Sequence, residues 1–133
     1  MIIHVLLRSL KYLWASPNTL LGLLFVGPAL LSGGRARFER GVLEIHGGIA
    51  RFFLRHCLPV KASALCLGHV IVGQNCECLD HARDHEHVHV RQYECWGPFM
   101  LPAYFLSSFL AWRRGDHFYF DNRFEREAYD QAE

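Results

Sequence analysis

The residues His85-Glu86-His87-Val88-His89 spell the pattern H-E-x-x-H, which constrains this chain more than any other stretch. In an α-helix, histidines at positions i and i+4 lie one turn apart on the same face, so both imidazoles can reach one metal ion. The glutamate beside the first histidine points to the side, where it can hold a water molecule and take its proton. The pattern therefore predicts a helix with His85 and His89 as zinc ligands and Glu86 as general base.

A third protein ligand is needed, because a hydrolytic zinc site takes three and leaves its fourth position to water. His81 lies on the same stripe of the helix, but it is eight residues from His89, or about 12 Å along the axis. The third ligand must therefore come from elsewhere in the fold. Acidic candidates on a downstream helix are Glu125 and Glu127, which are two residues apart and point to nearly opposite faces. Only one of them can be the ligand.

The H-E-x-x-H turn and the later E-x-x-A pattern, Glu125 to Ala128, together resemble the gluzincin metallopeptidases. The resemblance implies a Zn²⁺ site formed by His85, His89 and Glu125, with Ala128 as the small residue that lets the two helices pack closely. Many gluzincins also place an aspartate four residues after the glutamate ligand, where it supports a zinc-binding histidine. This chain has Tyr129 there, whose hydroxyl can also accept a histidine N–H.

The resemblance covers roughly Leu65 to Tyr129, and Glu127 stays as the fallback for the third ligand. In gluzincins an edge strand before the active-site helix pairs with extended substrate, and Gly68 to Gly73 lies where that strand would be. The segment from His89 to Pro98 is also similar to small bacterial proteins with this layout. The implied function is a zinc-dependent metallopeptidase that acts on a peptide or protein substrate.

The implied mechanism assigns Glu86 to remove a proton from water and to pass it to the leaving amine. The oxyanion needs a donor besides the metal, and the candidates are Tyr93, Tyr104, His117, Tyr119 and Tyr129. One alternative is a catalytically silent, zinc-stabilised binding module at the membrane. Another is a histidine-rich metal buffer that uses His81 to His89.

Composition indicates one folded domain, since 133 residues with 51% hydrophobic content can bury a single core. With a net charge of +1, the chain does not have the strong positive charge of a nucleic-acid-binding protein. We therefore expect no nucleic-acid partner. The five cysteines contain no C-x-x-C pair. We therefore expect reduced thiols in a cytoplasmic setting. The resemblance to small bacterial proteins implies that this is the bacterial cytoplasm, with membrane association through residues 2–32 as an open alternative.

The N-terminal segment, residues 1–34, is apolar and predicted to be helical. Arg8 and Lys11 interrupt its first half, and Ser16 to Thr19 looks like a helix boundary before the second apolar run, Leu20 to Leu31. That run is shorter than the roughly 20 apolar residues of a spanning helix. Three alternatives stay open for residues 2–32: a helical hairpin on the membrane surface, a short anchor, or buried core helices.

Residues 35–133 are predicted to form an α+β, zincin-like metal-binding domain with a short sheet. Glycine-bounded and β-branched runs predict two strands, and apolar or capped runs predict three helices. The charged residues 35–40 are expected to form an exposed connection. The predicted elements are strands over 41–48 and 65–73, a helix from near Asp80 to about Trp96 that Gly97-Pro98 ends, an apolar helix over Phe99–Trp112, and a polar helix after Asp121-Asn122.

Overall fold

The structure is a computed structural model that describes residues 1–132. It contains helices before, between and after the strands of one small sheet. The fold is α+β, as predicted. In chain order, its elements are α1 (Ile2–Leu23), α2 (Val26–Leu31), β1 (Arg35–Glu39), β2 (Val42–His46), α3 (Gly48–His56), β3 (Ala64–Leu67), β4 (Val70–Gly73), α4 (Cys76–Trp96), a 3₁₀ turn (Gly97–Phe99), α5 (Met100–Arg113) and α6 (Arg123–Ala132).

The four strands form one mixed sheet in the order β1-β2-β4-β3, in which only the β2–β4 pair is parallel. β4 lies inside the sheet, and its residues Val70, Ile71 and Val72 are fully buried. A run of β-branched residues suits this place, since an interior strand is covered on both faces. The sheet therefore forms the centre of the core.

The predicted single strand over 65–73 is wrong, because the structure divides it into β3 and β4. The turn between them contains Gly68, whose φ of 62° lies in the left-handed region that favours glycine. The division also changes which strand has a free side. β4 pairs on both sides, whereas β3 forms the edge of the sheet next to α4.

The predicted connection over residues 35–40 is also wrong, since Arg35–Glu39 is strand β1. A two-residue turn joins it to β2, and both of its residues, Arg40 and Gly41, have positive φ angles of 52° and 77°. Such turns match the twist of antiparallel strands. Charged side chains are compatible with β1 because it is an edge strand exposed to solvent.

α1 continues through the predicted boundary at residues 16–19, and Pro17 lies inside the helix. Proline has no N–H to donate to the carbonyl four residues earlier, that of Leu13. The Ser16 hydroxyl donates to that carbonyl instead, at 2.6 Å. The backbone acceptor is thereby satisfied, so the helix is not interrupted.

α1 has one face on the protein body and one face in solvent. Trp14 Nε1 donates to the carbonyl of Cys95 at 3.1 Å, and Asn18 Nδ2 donates to the carbonyl of Gly97 at 2.8 Å. By length and composition, the stretch Ile2–Leu31 can cross a membrane, a criterion that a signal sequence or a core helix also meets. The exposed apolar side chains on α1 include Ile2, Ile3, Leu6, Leu10 and Leu13.

α4 begins at Cys76, four residues before the predicted start at Asp80. Asn75 is the N-cap, and its side-chain oxygen accepts from the backbone N–H of Cys78 at 2.8 Å. The predicted end is confirmed, since the helix ends at Trp96 and Gly97 follows with a φ of 55°. α4 therefore carries the whole H-E-x-x-H turn in its interior.

Candidate metal centre and active-site cleft

α4 and α6 bring His85, His89 and Glu125 together. The Glu125 Oε1 atom lies 3.1 Å from His85 Nε2 and 3.1 Å from His89 Nε2. All three side chains are mostly or fully buried. The predicted fallback, Glu127, is exposed. Its Oε1 accepts from Gln92 Nε2 at 3.0 Å, whereas the ligand atoms that come together belong to His85, His89 and Glu125.

The start of α6 fixes which glutamate faces the histidines. Asn122 accepts from the backbone N–H of Phe124 at 2.8 Å, and its amide donates to the carbonyl of Tyr104 at 2.9 Å. Phe124 and Ala128 are buried, and α4 and α6 are in direct contact. Glu125 lies on this buried side of α6, three residues before Ala128.

Gln92 holds His89 from the side opposite Glu125. The His89 Nδ1–H donates to Gln92 Oε1 at 2.8 Å, so Nε2 is the ring nitrogen that faces Glu125. Nε2 donates to Glu125 Oε1 when it carries a proton, and without that proton it would offer its lone pair to a metal ion. The Gln92 amide nitrogen donates to the carbonyl of Phe124 at 3.1 Å and to Glu127. Gln92 therefore links His89 to α6, a role that the sequence interpretation missed. Its only signal was the i+3 spacing from His89.

The five predicted donor candidates lie in different places. The Tyr104 hydroxyl donates to Glu125 Oε2 at 2.6 Å, and the Tyr93 hydroxyl donates to the carbonyl of Cys66 at 3.0 Å. His117 Nδ1 accepts from two backbone N–H groups of its own loop. Tyr129, the predicted histidine partner, packs its ring against His85 with centroids 4.4 Å apart. Tyr119 lines the adjoining cleft.

The charges of these buried side chains depend on one another. Burial alone raises the pKa of Glu125, but hydrogen bonds from His85 and His89 outweigh it and hold the pKa well below its usual range. Burial likewise lowers the pKa of His89, while its bonds with the Glu125 carboxylate raise it to about 9. The pKa of Glu86 is raised, mainly because this side chain is buried. His89 and Glu125 thus form an ion pair within the cluster of His85, His89 and Glu125, and Glu86, beside this cluster, binds a proton more tightly than an exposed glutamate does.

A cleft of about 460 Å³ opens in front of the cluster. Glu86, His89 and Glu125 lie on its wall. Strand β3 contributes to a second wall, which is mainly apolar. The apolar side chains that line the cleft include Phe53, Leu58, Leu65, Met100, Leu101 and Phe105.

The donor set fits a zinc ion. Two imidazole nitrogens and one carboxylate oxygen are the ligands of many catalytic zinc sites. With bonds of about 2.0–2.1 Å, a tetrahedral site separates its ligand atoms by about 3.3 Å. Glu125 Oε1 lies 3.1 Å from each histidine nitrogen, and the ligand atoms of His85, His89 and Glu125 all lie within 4.8 Å of one another. These three residues would hold the ion, whereas His81 is exposed and His87 lines another cavity.

No protein-family model, curated protein or solved structure matches this chain.

Proposed function

We propose that this protein is a zinc-dependent metallopeptidase of the gluzincin type, with a zincin-like domain. The observation that carries the proposal is the position of one Glu125 oxygen, 3.1 Å from Nε2 of both His85 and His89. When bound there, zinc would polarise the scissile carbonyl and lower the pKa of a water molecule. The remaining chemistry belongs to the side chains around the cleft.

Glu86 is the proposed general base. It follows His85 directly, is almost completely buried, and lies on the wall of the cleft. Burial raises the pKa of Glu86 toward neutral pH, where a carboxylate takes a proton from water most effectively. The same carboxyl group then gives this proton to the leaving amine, so that the base is regenerated in each cycle.

Tyr119 is the proposed donor to the oxyanion. Its side chain lines the cleft, whereas Tyr104 already donates to Glu125 Oε2 at 2.6 Å. Burial, followed by the charge of Glu125, raises the pKa of Tyr119 above its usual value. The hydroxyl therefore keeps its proton at neutral pH and can donate it in a hydrogen bond.

The proposed substrate is an extended peptide with a bulky apolar side chain beside the cleaved bond. β3 pairs only with β4 and lines the cleft, so its free side can add a substrate strand. This role moves from Gly68–Gly73, as the sequence suggested, to Ala64–Leu67. The Tyr93 hydroxyl already donates a hydrogen bond to the carbonyl of Cys66, so a substrate strand would pair with the other backbone N–H and C=O groups of β3.

Glu86→Gln tests the general base. The variant keeps the size of the side chain but cannot accept a proton, so we expect it to retain one zinc per chain. Peptide cleavage should fall on the order of 10²–10⁴-fold. The matched control is Glu77→Gln, an exposed glutamate on the same helix. Cleavage is measured with quenched fluorescent peptides rich in apolar residues. Equal cleavage by both variants, or by chelated and zinc-loaded protein, contradicts the proposal.

A catalytically silent, zinc-stabilised binding module is the second candidate. It is favoured by the way in which the cluster fastens α4 to α6, through Glu125 and through Gln92. The exposed apolar side chains on α1 support membrane association. In this case Glu86→Gln has no effect, whereas His85→Ala unfolds the domain.

A further inference from the structure

A second cavity, of about 370 Å³, lies on another side of α4, where α1 and the β1–β2 turn approach it. It is separate from the cleft, since His87 lines it while His85 and His89 face the other way, two residues to each side. Four cationic residues line this cavity, and within residues 1–132 Glu94 is the only carboxylate residue among its lining. The cations are Arg8, Lys11, Arg40 and Arg91.

Two histidines in this cavity have ring nitrogens without partners. His69 Nδ1 and His87 Nε2 are buried, and neither has a hydrogen-bond partner within residues 1–132. His69 is held firmly, because its Nε2 lies 2.9 Å from Glu94 Oε2 and its ring stacks on Tyr12 with centroids 3.9 Å apart. Only 5% of His69 is exposed. Buried polar atoms in native folds are normally paired, so these two nitrogens indicate a missing partner.

The cations around the cavity are also incompletely paired. In the described part of the chain, no carboxylate lies within 4.0 Å of Arg8 or Lys11. Arg40 pairs with Asp84 at 3.0 Å, outside the cavity lining, and Arg91 donates to Gln131 at 3.3 Å. The lining therefore has an excess of positive charge together with unused N–H groups.

We propose that this cavity binds a phosphate group. Arginine and lysine side chains recognise phosphate through charge-assisted hydrogen bonds, and His87 Nε2 can donate to a phosphate oxygen as its N–H tautomer. The His69 Nε2–H is used by Glu94, so His69 Nδ1 offers a lone pair that can accept from a hydroxyl of the phosphate or of its ester. The volume exceeds that of a bare ion, so the phosphate group of an ester fits. Two sources share this chemistry: the headgroup of an anionic phospholipid and a soluble phosphate ester. The exposed apolar side chains on α1, the helix that borders the cavity, favour the phospholipid headgroup, because they would place α1 at a membrane surface.

The test uses the full-length protein with inorganic phosphate as the probe, titrated by calorimetry against chloride at equal ionic strength. Arg8→Gln/Lys11→Gln removes two exposed cations of the lining, and Arg51→Gln/Arg55→Gln removes two exposed cations of α3. We expect saturable binding to the wild type and the control. The cavity variant should bind roughly tenfold to a hundredfold more weakly.

A second variant, His87→Phe, removes the unpaired nitrogen and leaves every charge in place. It should also weaken phosphate binding, and its melting temperature without phosphate shows whether it is folded. If it does not fold, the comparison of the two double variants decides alone. Absence of saturable binding to the wild type, or equal affinity of the cavity and control variants, overturns the proposal.

Vesicles distinguish the two sources. The protein is sedimented with phosphatidylcholine vesicles and with vesicles that also contain phosphatidylglycerol. Binding to the second kind that inorganic phosphate displaces, and that the cavity variant loses, supports the headgroup. Calorimetric binding without any preference between the vesicles supports a soluble phosphate ester.

Discussion

Two polar clusters border α4, and they differ in whether their members satisfy one another. In the first, Glu125 accepts from both H-E-x-x-H histidines and from Tyr104, while Gln92 accepts from His89. In the second, around the basic cavity, the ring nitrogens of His69 and His87 have no partner within residues 1–132. One helix thus presents alternate histidines to two environments of opposite character.

The difference indicates what each cluster can bind. In the first cluster a carboxylate and two imidazoles hold protons between them, and a cation can take the place of those protons. In the second, cations and N–H groups lack acceptors, and an anion can supply them. Leaving a buried polar group unpaired costs about 1–3 kcal/mol. Complete pairing therefore stabilises the first cluster before any ligand arrives, while the second gains its pairing from the ligand.

The largest expected effect comes from Glu125→Gln, which removes the carboxylate that joins the two histidines. We expect zinc affinity to fall on the order of a thousandfold, more than the loss of an outer hydrogen-bond partner costs. Glu127→Gln is the matched control, because Glu127 accepts from the Gln92 amide and a glutamine oxygen can still accept there. Zinc affinity is measured by competition with a chelator. Greater loss in the control would move the third ligand to Glu127.

A second fully paired cluster, around Glu44, has no proposed ligand, and its effect on stability can be measured through its dependence on pH. Glu44 is fully buried and accepts from Arg83 Nε at 2.8 Å and from Arg37 Nε at 3.3 Å. Burial alone raises the pKa of Glu44, but these hydrogen bonds and charges outweigh it, and the net pKa is lowered. A lowered pKa in the folded state means that the ionised carboxylate stabilises the fold. This contribution is complete above the pKa of the unfolded chain, about 4.3.

Glu44→Gln should therefore reduce the free energy of unfolding by about 3 kcal/mol at neutral pH, the lower end for breaking a buried ion pair. The difference from wild type should shrink as the pH falls through the lowered pKa of Glu44. Asp84→Asn is the control, since its pair with Arg40 is exposed and should contribute less than about 1 kcal/mol. Denaturant unfolding at several pH values measures both. If the difference in the free energy of unfolding between wild type and Glu44→Gln does not change with pH, Glu44 contributes through packing and not through its charge.

Features set by near neighbours in the sequence were predictable. The i, i+4 histidines share a face wherever the helix forms, and Gly97 ends α4 because of its own backbone preference. The start of α6 followed from Asn122 as a cap. Glu125 was named through the E-x-x-A pattern, and the structure brings it to the histidines.

Features that depend on one particular contact, and not on the preferences of single residues, were not predicted, whether the partner is near or far in the sequence. β1 looks like a charged connection until it pairs with β2, and Pro17 looks like a break until the Ser16 hydroxyl replaces its missing donor. The unpaired nitrogen of His69 depends on residues far away in the chain, since its ring stacks on Tyr12 and bonds to Glu94. No local pattern contains that information.

Gln92 gives the smallest effect and the finest test of the paired cluster, because it touches the proposed zinc ligand only from outside. Gln92→Leu keeps a side chain of similar size but removes the acceptor for His89 Nδ1–H and the donor to the carbonyl of Phe124. We expect zinc affinity to fall roughly tenfold to a hundredfold, with the stoichiometry unchanged. Gln92→Glu keeps the acceptor, so it should retain more affinity than the leucine variant. If both variants bind zinc as tightly as wild type, the pairing around His89 has no bearing on the metal.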